Sequence, residues 1–188
     1  MEKTARMYRD QEKILVSREE IAAKIRELGE TITRDYAGRE PLMVCVLKGA
    51  ALFFTDLIRE IDLPLTTDFI ALSSYGNSTR TSGVVHLLKD LDADIRGKDV
   101  ILVEDIVDTG VTLNFIRGML MDRGAASIRI AALLDKPARR KVKGLKADYV
   151  CFDIPDEFVV GYGLDFSQKY RNLPDICALS PDVYEPKK

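Results

Sequence analysis

Two adjacent acids and a hydroxyl-rich turn lie between an apolar run and a helical pattern in the segment 100–113, VILVEDIVDTGVTL. The turn at 108–112 (DTGVT) offers successive backbone N–H groups, two threonine hydroxyls and the N-terminus of a helix. Together these groups fit a phosphate monoester. Gly110 would let the backbone approach such a ligand closely. The sequence therefore predicts a phosphate-binding turn.

The two acids, Glu104 and Asp105, need a separate explanation, because carboxylates beside a phosphate site would repel the phosphate. A ribose diol, which donates two hydroxyl hydrogens, or a Mg²⁺ ion would remove this conflict. Phosphate, diol and divalent cation together describe a ribose 5-phosphate. The alternative is a strand followed by a helix that Asp108 merely caps, with no ligand involved.

Other phosphate-binding motifs do not occur in the sequence. It contains no GxxxxGK[ST] and no GxGxxG after a strand, which argues against a P-loop NTPase and a dinucleotide-binding fold. Its single histidine, His86, excludes a multi-histidine metal site, and a structural role in a strand is expected for it. The three cysteines, Cys45, Cys151 and Cys177, form no CxxC pair, so we expect buried reduced thiols and a cytoplasmic location.

Short apolar runs alternate with helical patterns along the chain, which predicts an α/β fold with a mainly parallel sheet flanked by helices. One helix should begin after a capping box of Ser17 and Glu20, with Gly38 able to end it. The other predicted helices are 50–61 and 112–123. Strands are predicted at 42–47, 66–74, 84–88, 100–103, 128–134, 149–152 and 158–160.

Polar residues follow several of these strands, at the sheet edge where ligands of parallel sheets gather. They are Lys48-Gly49, Glu104-Asp105, Asp135-Lys136 and the segment 73–83. That segment, SSYGNSTRTSG, has nine Ser, Thr, Gly or Asn residues in eleven positions, which predicts a long mobile loop.

Composition narrows the possible partners. With 188 residues, the chain is expected to form one domain, 1–188. Its formal net charge of −2 gives no net positive field for a nucleic acid backbone. It has no apolar run near the roughly 20 residues that a membrane span needs. Neither a nucleic acid nor a membrane is therefore expected as a partner.

Five ordered motifs resemble those of the type I purine phosphoribosyltransferases, and more narrowly the hypoxanthine-guanine phosphoribosyltransferase family. They are VLKGA at 46–50, SSYGNSTRTSG at 73–83, VEDIVDTG at 103–110, LLDKP at 133–137 and FVVGYGLDF at 158–166, with Arg171 beyond the last. The resemblance implies the type I phosphoribosyltransferase fold, with a small hood formed by the terminal segments. It also implies a homodimer or homotetramer. The sequence departs from the common pattern at Phe166, where many members have tyrosine.

The resemblance further implies a reaction of purine salvage. Phosphoribosyl diphosphate (PRPP) and hypoxanthine or guanine would give IMP or GMP and pyrophosphate, with Mg²⁺ as cofactor. Asp108 would be the catalytic proton acceptor near purine N7. Residues implied in PRPP or nucleotide binding are Lys48, Gly49, Ser74, Tyr75, Glu104, Asp105, Asp108, Thr109, Gly110, Val111, Thr112 and Arg171. Purine contacts would come from Lys136, Phe158 and Val159, and metal contacts from Glu104, Asp105 and Asp165.

Two of these roles can be checked against chemistry. The ammonium of Lys136 only donates hydrogen bonds, so it suits the 6-oxo group of hypoxanthine or guanine and not the amino group of adenine. The alternative interpretation is that Lys136 is a solvated charge in the basic run 136–146. Most of that run should be a solvated face or a subunit contact. Phe158 would stack on the purine, and the alternative role for this side chain is packing in the core.

Two other functions compete with this one. The first is a transferase that prefers xanthine or another purine, and the second is a PRPP-sensing regulator without catalysis. Retention of Asp108, Lys136, Asp165 and Arg171 argues against the regulator. The acidic pI of about 5.6 argues against a regulator that binds nucleic acid.

Overall fold

A computed structural model describes residues 9–74 and 85–184 of the chain. In these ranges the strands are β1 (Gln11–Val16), β2 (Leu42–Leu47), β3 (Thr66–Ser74), β4 (Val85–Lys89), β5 (Asp99–Val107), β6 (Ser127–Asp135), β7 (Tyr149–Asp153), β8 (Val159–Val160) and β9 (Ile176–Leu179). The α-helices are α1 (Arg18–Asp35), α2 (Ala51–Leu57), α3 (Val111–Asp122) and α4 (Pro181–Tyr184), and Pro137–Arg139 forms a 3-10 turn. No helix in these ranges is both long and apolar enough to cross a membrane.

Six strands form the central sheet in the order β4-β3-β2-β5-β6-β7. Strands β3, β2, β5, β6 and β7 pair in parallel, and β4 pairs antiparallel with β3 at one edge. The predicted α/β fold with a mainly parallel sheet is therefore confirmed.

Both faces of this sheet are covered, which explains why its central strands are almost wholly apolar. Along β5, Ile101 and Val103 pack in a core with α1 and α2, whereas Val100 and Leu102 pack in a second core with α3. Successive side chains of a strand point to opposite faces, so a strand covered on both sides needs apolar residues at every position.

Helix α1 begins as the sequence predicted. The side chain of Ser17 accepts a hydrogen bond from the N–H of Glu20, and the carboxylate of Glu20 accepts one from the N–H of Ser17. Ile21, Ile25 and Ile32 lie on its buried face against the sheet. Helix α2 is shorter than predicted and ends at Leu57, because the chain then turns and buries Ile61 from outside the helix.

A second, three-stranded antiparallel sheet has the order β1-β9-β8. Strands β1 and β9 come from the two ends of the described chain, so the predicted hood from terminal segments is confirmed. The sequence reasoning did not find β1 and β9, and it did not place β8 outside the main sheet. Val160, Leu173, Cys177 and Leu179 form the small core of this hood.

All three cysteines are free and buried. Burial raises the pKa of Cys45 and Cys151 to about 12 and that of Cys177 to about 11. Because only the thiolate is nucleophilic, we expect no reaction of the native protein with a disulfide reagent at pH 8. All three thiols should react once guanidinium unfolds the chain. The reaction is monitored by absorbance, and rapid labelling of any cysteine in the native protein would contradict this prediction.

Candidate active site

The register of the central sheet brings the predicted polar residues to one edge. Val107 at the end of β5 pairs with Asp135 at the end of β6, and the N–H of Lys136 donates to the carbonyl of Val107 at 3.0 Å. Asp108 and Lys136, which follow these two paired residues, are therefore neighbours. Strand β5 also runs beyond the predicted end at 103, so Glu104 and Asp105 lie within the strand rather than after it.

The phosphate turn remains open at the start of α3. Its N-cap is Gly110, in the left-handed conformation with φ of 79°, which has no side chain to cap the helix. The Oγ1 of Thr109 accepts the N–H of Val111, at a long 3.4 Å. The alternative in which Asp108 caps the helix is therefore wrong. Because the first N–H groups of a helix lack intrahelical acceptors, this end can receive an anion. The threonine hydroxyls of Thr109 and Thr112 border the same turn, next to Val111.

A cleft of about 90 Å³ joins the turn to Glu104 of the acid pair. Its lining residues are Glu104, Ile106, Val107, Asp108, Thr109, Gly110, Thr112 and Leu113. The acidic strand end and the turn therefore face the same space. A larger cavity of about 420 Å³ lies against α1, α2 and residues 172–174 and shares no lining residue with this cleft.

The acid pair is partly buried, and one of its carboxylate oxygens lacks a hydrogen-bond partner. Oε2 of Glu104 is buried without a hydrogen-bond partner, and Oδ1 of Asp105 accepts the N–H of Ile106 at 2.8 Å. Burial and the neighbouring Asp105 charge raise the pKa of Glu104 well above its usual range, and burial raises the pKa of Asp105 to about 6. Both carboxylates would gain from a ligand that brings positive charge or hydroxyl donors.

Within the described residues, no group of three or more acidic, histidine or cysteine side chains could hold a metal ion unaided. Two adjacent carboxylates nevertheless fit Mg²⁺, which usually keeps several waters and takes its other ligands from substrate phosphates. The orphaned oxygen of Glu104 and the raised pKa of Asp105 agree with such a fit.

Close backbone packing joins the Lys48-Gly49 loop to Asp105. A Cβ atom on Gly49 would lie 1.5 Å from Oδ2 of Asp105, and one on Gly163 would lie 2.1 Å from the carbonyl oxygen of Gly49. The peptide bond between Leu47 and Lys48 is cis, and the side chain of Lys48 is exposed. Glycine at position 49 thus allows this loop to lie directly on the acid pair.

We expect Gly49→Ala to lower turnover by about 10²-fold, because the new methyl group must displace Asp105 or the loop. Gly118→Ala is the matched control. Position 118 is in the exposed face of α3, and a Cβ there would meet nothing within 4 Å. It should keep full activity and gain up to about 1 kcal/mol of stability. Steady-state kinetics and thermal melting measure both variants, and an active Gly49→Ala enzyme would contradict the prediction.

Asp165 and Arg171 lie together beside this loop. Nη2 of Arg171 is 2.7 Å from Oδ1 of Asp165, and Nη1 donates to the carbonyl of Gly163 at 2.7 Å. The other oxygen of Asp165 accepts the N–H of Gln168 at 2.7 Å. The charge of Arg171 also acts on Asp105. The two residues predicted to bind pyrophosphate and its metal are thus adjacent to Gly49.

Asp108 and Lys136 form the opposite side of the site. Oδ1 of Asp108 is 3.2 Å from Nε of Arg139 but makes no hydrogen bond with it or any other described group. Lys136 is only 5% exposed, which rules out the alternative of a solvated lysine. Its Nζ donates to the carbonyl of Glu157. Burial lowers the pKa of Lys136, and the charge of Asp108 opposes that shift.

Phe158 is 37% exposed, so it is not a core residue. The ring of Tyr184 stacks on it at a centroid distance of 5.1 Å, and Phe166 packs edge-on at 5.6 Å. Val159 is buried and pairs with Ala178 in the hood. The sequence reasoning missed Tyr184, since a lone aromatic near the end of the chain carried no signal.

Two predicted site residues, Ser74 and Tyr75, lie at the boundary of the described residues. Ser74 ends β3, where its backbone pairs with Val85. Tyr75 and almost all of the predicted loop 73–83 lie outside the described residues. Their roles therefore stay predictions.

Comparison with known proteins agrees with this arrangement. A family model described as a phosphoribosyl transferase domain matches residues 12–167. A hypoxanthine-guanine phosphoribosyltransferase of Streptococcus thermophilus is 52% identical over 178 residues, which cover 95% of this chain and 98% of that protein. A Bacillus subtilis protein of the same name is 51% identical over 179 residues, covering 95% and 99% of the two chains.

The fold is also that of a solved relative. The crystal structure of a hypoxanthine phosphoribosyltransferase from Staphylococcus aureus superposes with a TM-score of 0.92 at 47% identity, over 96% of this chain and 97% of that chain. The open helix N-terminus beside a buried acid pair thus occurs in a chain that is similar to these enzymes along nearly its whole length. The chain therefore belongs to the phosphoribosyl transferase family, among the hypoxanthine-guanine phosphoribosyltransferases.

Proposed function

We propose that this protein transfers the 5-phosphoribosyl group of PRPP to hypoxanthine or guanine, forming IMP or GMP and pyrophosphate in purine salvage. The observation that carries this proposal is the cleft that joins Glu104 to the phosphate turn at the N-terminus of α3. Membership of the hypoxanthine-guanine phosphoribosyltransferases supports the choice of substrates.

The sugar phosphate would lie along β5 and α3. The N–H groups of residues 109–112 and the two threonine hydroxyls would bind its 5-phosphate. Glu104 and Asp105 would hold the ribose hydroxyls, directly or through water on Mg²⁺. Asp165 would be a ligand of Mg²⁺ on the pyrophosphate. When bound, Mg²⁺ would neutralise charge on the departing pyrophosphate.

The purine would lie between Asp108, Lys136 and Phe158. Phe158 is 37% exposed and already stacks on Tyr184 on one side, so the purine would stack on the other. Lys136 would donate to the 6-oxo group, and the backbone of Val159 would meet the C2 edge. The carboxylate of Asp108 has no described hydrogen bond, so it can accept the proton from N7 as the bond to the sugar forms.

Breaking the bond between the sugar C1 and pyrophosphate leaves negative charge on the pyrophosphate and positive charge on the sugar. The cations of Lys48 and Arg171 would stabilise the departing group. Water would attack the cationic sugar, so the site needs cover during the reaction. The loop 73–83, with Ser74 and Tyr75, is our candidate for this cover on sequence grounds.

One assay separates this function from its competitors. The purified protein is mixed with PRPP, Mg²⁺ and hypoxanthine, guanine, xanthine or adenine in turn, and nucleotide formation is followed by chromatography. We expect product from hypoxanthine and guanine. Product from no base would favour a PRPP-sensing regulator, and product chiefly from xanthine or adenine would favour another purine transferase. Omission of Mg²⁺ should abolish product.

We also propose that residues 1–188 act as one domain in the cytoplasm, as a homodimer or homotetramer. The family match over 12–167 supports a single domain, and the free buried thiols suit a reducing compartment. Light scattering of the pure protein tests the oligomeric state.

A further inference from the structure

The basic run 136–146 contains one cation that packs beneath the phosphate turn. Four of its six cationic residues are exposed, as predicted: Arg139, Lys141, Lys143 and Lys146. Lys136 and Arg140 are covered, so they do not belong to the solvated face that was predicted for most of the run. Lys136 belongs to the proposed purine site, which leaves Arg140 without a role.

The guanidinium of Arg140 joins two elements of the site. Its Nη1 donates to the backbone carbonyl of Asp108 at 2.9 Å, and its Nη2 pairs with the carboxylate of Asp135 at the end of β6. The side chains of Arg140 and Asp135 are each only 13% exposed. A rigid planar fork thus connects the sheet edge to the first peptide of the phosphate turn.

The residues after Arg140 support the next peptide of the turn. The N–H groups of Lys141 and Val142 both donate to the carbonyl of Thr109, at 3.0 and 3.3 Å. A Cβ on Gly110 would lie 2.5 Å from Leu145 and 3.3 Å from Cδ of Arg140. The segment 140–145 therefore packs directly against one side of the turn.

Because of peptide geometry, these contacts to the carbonyl groups also fix the direction of the N–H groups at the anion site. The C=O of one residue and the N–H of the next share a plane and, in a trans peptide, point in opposite directions. Holding the carbonyls of Asp108 and Thr109 toward the segment 140–142 therefore aims the N–H groups of Thr109 and Gly110 the other way. Successive N–H groups that point the same way form an anion-binding nest.

We propose that Arg140 is a positioning residue: by holding the Asp108 carbonyl, it orients the N–H groups that bind the 5-phosphate. This inference rests on the proposed function and deepens it. Because Asp135 faces the same guanidinium, the net charge that Arg140 brings to the turn is small. The role of Arg140 therefore depends on the shape of its guanidinium group. The single ammonium of a lysine cannot reach both the Asp108 carbonyl and the Asp135 carboxylate in this way.

Two variants and one control test the role. Arg140→Lys keeps a cation opposite Asp135. The double variant Asp135→Asn with Arg140→Met removes both partners, so that neither charge is left buried alone. Lys143→Met removes an exposed cation of the same run. For each protein, calorimetry gives the affinity for GMP, kinetics give kcat and the KM of PRPP and hypoxanthine, and circular dichroism gives the melting temperature.

We expect Arg140→Lys and the double variant to weaken GMP binding and raise the KM of PRPP by about 10- to 100-fold, the range for misplaced binding groups. The KM of hypoxanthine should stay within about twofold, and Lys143→Met should match the parent. A merely structural role would lower the melting temperature and the active fraction without separating the two KM values.

Parental KM and GMP affinity in a folded variant would overturn the proposal, and so would loss of folding in both variants. If only the double variant fails to fold, the GMP affinity and KM values of Arg140→Lys decide whether the proposal holds. A parent protein that neither binds GMP nor uses PRPP would instead refute the proposed function, so the two failures are distinguishable.

Discussion

Asp108→Asn should lower kcat by about 10²–10⁴-fold, the usual contribution of a positioned acid–base group. An amide of the same size keeps the shape of the site but cannot take up the N7 proton. The KM of PRPP should change little, because the backbone of the turn and not this carboxylate would bind the phosphate. Steady-state kinetics with hypoxanthine and a melting curve measure both effects.

Asp156→Asn is a matched control for this variant. Arg139 lies between the two acids, with Nε 3.2 Å from Asp108 and Nη1 3.4 Å from Asp156. The control removes the carboxylate on the other side of the same arginine, so it should keep kcat within about twofold. If Asp108→Asn instead lowers the melting temperature and keeps near-normal specific activity, Asp108 is a structural residue.

Lys136→Met should lower kcat/KM for hypoxanthine and guanine by about 10- to 100-fold, as expected for loss of a hydrogen bond from a charged donor worth about 1.5–3 kcal/mol. The ratio of kcat/KM for guanine to that for adenine should fall by more than this, since sites built on such a hydrogen bond discriminate between substrates by roughly 10⁴–10⁵. The control is Lys143→Met, an exposed lysine of the same run. An unchanged ratio of guanine to adenine turnover would remove the proposed role of Lys136.

The lowered pKa of Lys136 adds a pH dependence to this prediction. Burial places that pKa below the ordinary value of 10.5, so the ammonium loses its proton at a lower pH than an exposed lysine. The KM of hypoxanthine should therefore rise as the pH increases toward 10 in the parent. Lys136→Met should lack the part of this rise that comes from the lysine, which the difference between the KM profiles of parent and variant from pH 7 to 10 measures.

Local pattern in the chain was enough to predict the sheet and the chemistry of β5. The segment VILVEDIVDTGVTL carries an apolar strand, two acids and a helix start within fourteen neighbouring residues. Strand and helix periods are local properties, and the carboxyl ends of parallel strands must meet at one edge. The sequence thus predicts that Lys48, Glu104 and Lys136 lie at one edge of the sheet.

Contacts between distant segments could not be predicted in this way. The pairing of β1 with β9 joins the two ends of the described chain, and neither strand has a clear alternating pattern. The stacking of Tyr184 on Phe158 likewise depends on how the hood closes. Charge pattern alone does not distinguish the covered Arg140 from its exposed neighbours in the sequence.

The sequence by itself determined the fold class, the family and the order of the polar residues along the sheet edge, because these follow from local periodicity and short motifs. Only the tertiary structure decided which acid is unsatisfied, which glycine touches Asp105 and which arginine supports the phosphate turn. Burial and hydrogen-bond geometry arise from segments that meet only after folding, and the spacing of residues in a chain does not encode them directly.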